Sequence, residues 1–566
     1  MDRTTSAPVS RGEWRWVIIV GGLLVTLSLL PYLWALNGVQ TEGSYAFTGV
    51  LYNPLDAATY LAKIRQGING NWLMSLPHTS EPHAPALIQV YYVFLGQIAR
   101  LLSMSPIVIY QLTRLVGAFF MYLAMYHLGA TIWTRKRERR LFFAIMGMGS
   151  GLGWLGLLLT AARTAPATDF TIPESIPFHA ALVNAHFAFS IALIMIAAAV
   201  FVRVFRPGHD EQPTLTNGGG TLIMIALILI VIQPQAWLPM AATLGAYSAV
   251  LTIRGRGVPL REINWALLFI LPALPFLIYY VAILSTNEAM RLWNEQNQTP
   301  SPGVINYILG FGLPLLVGIP SIWRAFRRFE RDGDRFMVTW LIVNAALLYA
   351  PFNLQRRLAI GLFIPISYFA VRALRDYWFT RIPARWRGAT LIALIVFMIP
   401  SNILVWGLPL VGILQPEQGL EGSLLIYRDE AQAIAWLAAN GNAGEIVLAS
   451  PRVSLYIPVY SDLKVVYSHP YETLRAAEKL VWVKGWLEGI YCPPKTSDHD
   501  EPTCMPMPPE ACRTVLERYN VRYVLLRAAD ASSETTGATS RTACLEVVGL
   551  TTPIQRIGMI AIYRVP

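Results

Sequence analysis

Thr134-Arg-Lys-Arg-Glu-Arg-Arg140 fixes how this chain is threaded. It follows a long apolar run and precedes another, and a short loop this basic belongs on the cytoplasmic side of a membrane. The N-terminal tail, with Arg3, Arg11 and Arg15, belongs on that side too. Three apolar runs lie between the two markers: 17–36, 84–102 and 106–131. An even number of crossings joins two points on one side, so one run does not cross. The run 84–102 is the one expected to lie along the outer surface. Its Gln89, Tyr91-Tyr92, Gln97 and Arg100 suit an interface better than a lipid core.

Beyond the cluster, spans are expected near 141–162, 180–202, 220–235, 236–253, 263–284, 304–322, 336–352, 358–375 and 389–412, giving about 11 in all. Inner loops then hold Arg203 and Arg206, Arg254 through Arg261, Arg324 through Arg335, and Arg372 through Arg387. Outer segments are 37–105, 163–179, 285–303 and 353–357, with the tail from about 415. The expected division is a cytoplasmic tail 1–16, a helical transmembrane domain 17–412 with the outside loop 37–105, and an extracytoplasmic α/β domain 413–566. The expected location is the plasma (inner) membrane. Val17–Leu36 reads as a span rather than a cleaved signal, since no small-residue cleavage site follows it.

Composition agrees. The chain has 566 residues, 54% hydrophobic and 14% charged, whereas soluble domains carry about a quarter charged residues. The formal net charge of +11 sits mostly in short loops, where it sets orientation. No basic stripe with interleaved aromatics occurs, which argues against a nucleic-acid partner.

All four cysteines (Cys492, Cys504, Cys512 and Cys544) lie in the tail, with 11, 7 and 31 residues between successive ones. The even count in one soluble domain predicts two disulfides in an oxidising compartment. In the same tail, helical period marks 428–439, 472–487 and 510–519, and short strands are expected at 445–449, 464–467, 521–526 and within 554–563. Residues 450–472 contain Ser450, Ser454, Tyr456, Tyr460 and His469-Pro-Tyr-Glu472, a polar and aromatic cluster that either roofs a site, reads an acceptor or bonds its own turns.

One basic pair breaks the charge rule. Arg356 and Arg357, in Pro351-Phe-Asn-Leu-Gln-Arg-Arg-Leu358, fall on the outer side between two spans. Two guanidiniums there, with Gln355 beside them, point to an anionic ligand such as a lipid phosphate, or else to snorkelling toward headgroups.

The first outside loop carries the best candidate for chemistry. In Tyr52-Asn-Pro-Leu-Asp-Ala-Ala-Thr-Tyr-Leu-Ala-Lys-Ile-Arg-Gln-Gly67, Asp56 follows a Pro turn at the start of an amphipathic helix. Its carboxylate either accepts a proton from an attacking hydroxyl or amine or caps the helix. Asp56, Tyr60, Gly67, Asn71-Trp72 and then His83-Ala-Pro85 before an apolar helix resemble the first outside loop of GT-C glycosyltransferases. That superfamily includes protein O-mannosyltransferases and aminoarabinose transferases, which use polyprenyl-phosphate sugars. The likeness covers 14–140 best and extends by topology to about 412. One departure is Ala57, where many relatives carry a second acid. The resemblance implies a catalytic Asp56, a surface-lying helix after it, and an arginine near 356–357 that meets the lipid-linked phosphate.

The second outside loop offers Glu174 and His179, then Asn184 and His186 at the start of a span. These are expected to line a cavity that positions substrate, with Glu174, His179 and His186 as candidate ligands of a divalent metal. Gln298, in the amide-rich stretch 293–302, suits sugar recognition, and Tyr60, His83 and Gln355 complete the expected substrate contacts. The glycines of 147–153 are expected to let helices pack closely.

The expected function is transfer of a sugar from a polyprenyl-phosphate donor to a lipid, glycan or protein acceptor on the outer face, with Asp56 and Arg356/Arg357 in one chamber. The alternatives are a transporter or flippase for an anionic lipid or glycan, and a non-catalytic membrane protein with a partner-binding tail. No internal repeat of the transporter kind is seen.

Overall fold

The computed structural model describes residues 9–40, 43–160, 167–205, 213–254, 257–328, 333–491, 504–528 and 543–566. Among these, nine helices are long and apolar enough to cross a membrane: Arg11–Val39, Pro106–Ile132, Ala185–Phe205, Leu215–Ile232, Pro234–Arg254, Leu260–Thr286, Val304–Arg328, Gln355–Arg381 and Ala384–Leu414. Lys136–Met148 and Gly153–Leu159, bent by 43°, make a tenth when taken as one broken span. The eleventh expected span is the helix Asp334–Leu347 of 14 residues, about 21 Å long at ~1.5 Å per residue and so short of the ~30 Å hydrocarbon core. Several of these helices leave much of their apolar surface exposed, as at Ile278, Val281, Ile392 and Val396. Such surface belongs against lipid tails. The chain is a multi-pass membrane protein. The run 84–102 yields only the 12-residue helix Val90–Leu101, too short to span.

Two compact units divide the chain: Met1–Pro31, Gln111–Val281 and Gln298–Pro409 form the first, and Tyr32–Tyr110, Ala282–Asn297 and Leu410–Pro566 the second. This differs from the division expected from sequence, because 37–105 falls in one unit with the tail rather than with the spans. Hydrogen bonding explains it. Strand β1 (Tyr45–Phe47) pairs antiparallel with β2 (Leu425–Tyr427), Tyr45 opposite Tyr427. A partnership across that sequence distance leaves no local pattern.

The first unit has a polar skeleton inside its apolar helices. Glu13 accepts from Arg139 at 3.0 Å and from the Tyr126 hydroxyl at 2.8 Å. Arg372 donates to Asp334 at 3.0 Å. Thus Arg139 and Arg372, assigned to inner loops by charge alone, are also buried ion-pair partners, with their remaining hydrogen-bond capacity taken up locally. The broken span turns on glycine. A Cβ on Gly151 would lie 2.3 Å from the carbonyl oxygens of Leu309 and Gly310. Its bare backbone lets Leu152 N–H donate to Leu309 at 2.7 Å.

In the second unit, β3 (Ile446–Leu448) and β4 (Lys464–Val465) precede a small antiparallel pair, β5 (Ile490–Tyr491) with β6 (Met505–Pro506). Then come β7 (Val521–Arg527), β8 (Gln555–Ile557) and β9 (Ile560–Arg564). The mixed sheet runs β4-β3-β7-β9-β8, parallel on the β4 side and antiparallel on the β8 side. Helices Arg428–Asn440, Ala476–Glu488 and Pro509–Arg518 match the expected periodic segments. Helix Pro451–Tyr460 was not expected. Its start signal, Pro451 at the first helical position, was masked by Pro458, which falls harmlessly in the last turn. A disulfide joins Cys512 to Cys544. Cys504 is disulfide-bonded as well, and Cys492 lies outside the described residues, as do 492–503 and 529–542.

Candidate functional site

The second unit builds a polar cluster around Asp56. Helix Pro54–Ile68 starts at Asn53, whose backbone is left-handed at φ 49° and ψ 57°. Asn tolerates that region better than most residues, and Pro54 then sets the first helical φ. Asp56 is therefore not the capping residue itself. It sits in the first turn, where the helix dipole favours a carboxylate, and accepts from the Asn53 side-chain amide at 2.7 Å.

The other oxygen of Asp56 faces His469, whose Nε2 lies 3.7 Å from Oδ1. His469 Nδ1 accepts backbone N–H bonds from Tyr471 at 3.0 Å and Glu472 at 3.1 Å. An accepting Nδ1 puts the proton of the neutral ring on Nε2, pointed at the carboxylate. The His469 side chain is 2% exposed and that of Asp56 21%, so the acid remains open to solvent while its partner does not.

Asp56, Tyr60 and Lys63 recur at helical spacing and share a face. Tyr60 stacks on Tyr92 with ring centroids 4.2 Å apart. The Lys63 ammonium, wholly buried, donates to Glu472 at 3.0 Å and to the Gln89 side chain. Gln89 is itself left-handed, at φ 50°. His78 Nδ1 lies 2.8 Å from Ser468 Oγ, and the His78 carbonyl accepts from Thr473 Oγ1 at 2.7 Å. Burial, assisted by the nearby Lys63 ammonium, pushes the His78 imidazole well below the usual histidine range. Three buried atoms here have no hydrogen-bond partner among the described residues: His78 Nε2, His469 Nε2 and Glu472 Oε2. Unsatisfied buried polar groups are rare in folded chains, and their concentration around one acid marks a place prepared for polar guests.

His83 serves the loop instead. Its Nε2 accepts from Leu76 N–H at 2.8 Å and its Nδ1 lies 2.9 Å from the Glu81 carbonyl. Burial lowers its pKa, which keeps the ring neutral and both bonds intact.

The first unit gathers a second set. Arg356 and Arg357 lie, half-buried, on the 3-10 turn Gln355–Ala359 that opens the span Gln355–Arg381. Gln355 straps this turn to its neighbours, accepting from Ser301 N–H at 3.0 Å and donating to the Ala350 carbonyl at 2.8 Å. Arg356 N–H donates to the Thr299 carbonyl at 3.2 Å. The turn Pro173–Ser175, which carries Glu174, packs against the arginine turn. The Tyr307 hydroxyl lies 3.0 Å from Ser301 Oγ and within electrostatic reach of both Glu174 and Arg356. Below them Ile172, Ile176, Phe311, Leu358 and Leu362 form an apolar floor.

His179, on the helix Pro177–Leu182 that packs against the Glu174 turn, has its Nδ1 3.0 Å from the Asp169 carbonyl. Asn184 is buried, His186 is buried against the Phe187 ring with centroids 4.4 Å apart, and Gln298 is exposed. No group of three or more His, Cys, Asp or Glu side chains among the described residues is arranged to hold a metal ion. Glu174, His179 and His186 make no such set. Lys63 and His78 carried no expectation from sequence. Lys63 was detectable as the third member of the stripe with Asp56 and Tyr60. His78 had no local signal.

No family model matches the chain, and no curated protein is similar to it in sequence. Solved structures are. The archaeal oligosaccharyltransferase AglB from Archaeoglobus fulgidus, in complex with an inhibitory peptide and a dolichol-phosphate, aligns over 92% of this chain and 70% of its own at 12% identity, with a TM-score of 0.54. The arabinofuranosyltransferase AftD from Mycobacteria aligns over 99% of this chain and 42% of its own at 13% identity, TM-score 0.51. ArnT from Cupriavidus metallidurans bound to undecaprenyl phosphate covers 96% and 97% at 12% identity, TM-score 0.48. The likeness to AglB and AftD is one of fold: a polytopic helical part with a C-terminal part built on a small mixed sheet.

Proposed function

We propose that this chain is an integral-membrane glycosyltransferase that takes a sugar from a polyprenyl-phosphate donor and transfers it at the extracytoplasmic face, its N-terminus being cytoplasmic. The observation that carries this reading is the presentation of Asp56: an acid at a helix start, partly open to solvent, with a buried imidazole N–H aimed at one oxygen and an amide on the other. The fold supports it. So does the arginine pair at the mouth of an apolar span, where a guanidinium meets a lipid phosphate and stays charged.

In the proposed reaction the acceptor O–H or N–H attacks the anomeric carbon as the bond from that carbon to the phosphate oxygen breaks. The acceptor proton passes to Asp56. The electron pair of the broken bond leaves on the polyprenyl phosphate, whose charge Arg356 and Arg357 hold. Stabilising charge as it develops is usually a large catalytic term. The acceptor class remains lipid, glycan or protein.

The test is transfer of radiolabelled sugar from lipid-linked donors in proteoliposomes. Asp56→Asn should reduce turnover by about 10²–10⁴-fold and Arg357→Ala by about 10²–10³-fold, with expression and thermal stability retained. Wild-type transfer by Asp56→Asn ends the assignment of that acid.

A further inference from the structure

The second unit contains a pocket of about 460 Å³ lined by Glu81, Lys464, Arg475, Arg518, Tyr519 and Asn520, among others. Three of these are cations and one is an acid. Their existing partners do not balance them. Arg518 pairs with Glu478 at 2.9 Å. Glu81 is engaged by Lys479 at 2.6 Å and by Thr79. Lys464 and Arg475 make no side-chain hydrogen bond or salt bridge among the described residues. Lys464 is half-buried, and burial lowers its ammonium pKa even with Glu81 nearby. Taking a charge out of water without a partner is unfavourable, and an anion in the pocket would remove that penalty.

The backbone around the pocket is unusual in the same place. Arg475 is left-handed at φ 54°, while Asn520 at φ 49° and the lining Gly444 at φ 83° are residue types that adopt this region readily. Left-handed backbone at non-glycine residues is costly and clusters at ligand sites. Here Arg475 precedes helix Ala476–Glu488, and Asn520 sits between helix Pro509–Arg518 and β7. Tyr519 adds a hydroxyl that burial pushes up to about 12, so it keeps its proton and donates at physiological pH.

We propose that this pocket binds a phosphate monoester carried on a sugar-sized polar molecule, held mainly by Lys464 and Arg475. Its excess of two positive charges matches a monoester, which carries about −1.5 to −2 at neutral pH. Its volume exceeds what phosphate alone fills and lies within the range of small-molecule sites. The inference is independent of the transfer chemistry, since Asp56 and the arginine pair take no part in it.

The test is calorimetric titration of the full chain in phosphatidylcholine nanodiscs with glucose 6-phosphate, glucose, glucuronate, inorganic phosphate and glycerol 3-phosphate as separate probes. The expected result is saturable binding of glucose 6-phosphate, weaker binding of inorganic phosphate and glucuronate, and none of glucose. Lys464→Gln with Arg475→Gln should weaken glucose 6-phosphate by about a hundredfold, tenfold for each charge-assisted contact. Lys464→Arg with Arg475→Lys, which keeps both charges, should bind nearly as wild type, and Asp56→Asn should be unchanged. Equal binding by the Gln double variant, equal binding of glucose, or no saturable binding of any phosphate overturns the proposal. Inorganic phosphate or glycerol 3-phosphate matching glucose 6-phosphate overturns its sugar component. In nanodiscs doped with phosphatidic acid, unaltered glucose 6-phosphate affinity supports a soluble source of the monoester. A fall there assigns the pocket to lipid headgroups and overturns the sugar-phosphate reading.

Discussion

His469 presents its protonated Nε2 3.7 Å from Asp56 Oδ1 because its other ring nitrogen is held by two backbone N–H groups, those of Tyr471 and Glu472. The tautomer is therefore set by the main chain. If Asp56 takes a proton from the acceptor, a buried N–H beside it fixes which oxygen is free to do so. Replacing His469 with Phe should lower kcat by about 10–100-fold, the range for partners that orient a catalytic group, with little change in KM. His469→Gln, which can still donate, should recover part of the loss. Initial rates across pH for the three proteins check this. Equal kcat and an unchanged pH profile for the Phe variant would show that the imidazole only fills space.

The buried ion pair one face-turn below is structural. Lys63 and Glu472 are 3.0 Å apart with side chains 0% and 7% exposed. Removing one member strands the other. Glu472→Leu alone should destabilise the protein by about 3–5 kcal/mol, whereas Lys63→Met with Glu472→Leu should recover most of that, because two apolar groups of similar volume need no compensation. Thermal unfolding of both variants by intrinsic fluorescence decides it. A double variant no more stable than the single one would mean that the pair does more than neutralise itself.

How far the sequence reached depends on whether a relationship was local. Apolar runs, charge alternation and helical period are local, and they located most of the spans, the failure of 84–102 to form one, and most elements of the tail. They could not reveal that β1 pairs with β2 across the chain, nor that Arg139 and Arg372 are held by buried carboxylates, since ion pairs between distant segments leave no period. Residue chemistry singled out Asp56 in the second unit and Glu174 and Arg356 in the first, and the cluster His469-Pro-Tyr-Glu472 was noticed with its role left open. His83 was expected as a substrate contact because His83-Ala-Pro85 belongs to the stretch that resembles the first outside loop of GT-C enzymes. Both of its ring nitrogens hold the loop that carries it. His78 was invisible, its place being set by Ser468 and Thr473 nearly 400 residues away.

His78 gives the second unit a pH dependence. Burial, with the Lys63 ammonium nearby, places its folded pKa well below the unfolded value of about 6.5. Below that pH the unfolded chain binds a proton that the folded chain does not, so stability falls as pH falls. The slope approaches about 1.4 kcal/mol per pH unit for one such group. His83, shifted the same way by burial, adds to it. The melting temperature should hold between about pH 7 and 8 and decline from pH 6.5 toward 5. His78→Gln should flatten that decline. A variant that tracks the wild type through this range would show that His78 does not stay neutral.

The crossing of Pro54–Ile68 with Val90–Leu101 rests on two glycines. A Cβ on Gly67 would lie 2.0 Å from the Val93 carbonyl oxygen, and one on Gly96 would lie 2.1 Å from that of Ile64. Both obstacles are backbone, so no side chain can swing aside. The contact also sets the height of Tyr92 under Tyr60 and of Gln89 beside Lys63, and so the surface from which Asp56 projects. Gly96→Ala should push the helices apart and cost about 1–3 kcal/mol through overpacking. It should also lower turnover beyond what lost folding explains, because Asp56 and His469 no longer hold their spacing. Gly70→Ala, where the only near atom is the end of the Arg100 side chain at 2.9 Å, is the control for a glycine whose substitution strains its own left-handed backbone without parting the helices. If both variants lose stability and turnover in the same proportion, the crossing matters to folding alone. If Gly96→Ala loses turnover out of proportion, the helix contact is what keeps the acid in register with its imidazole.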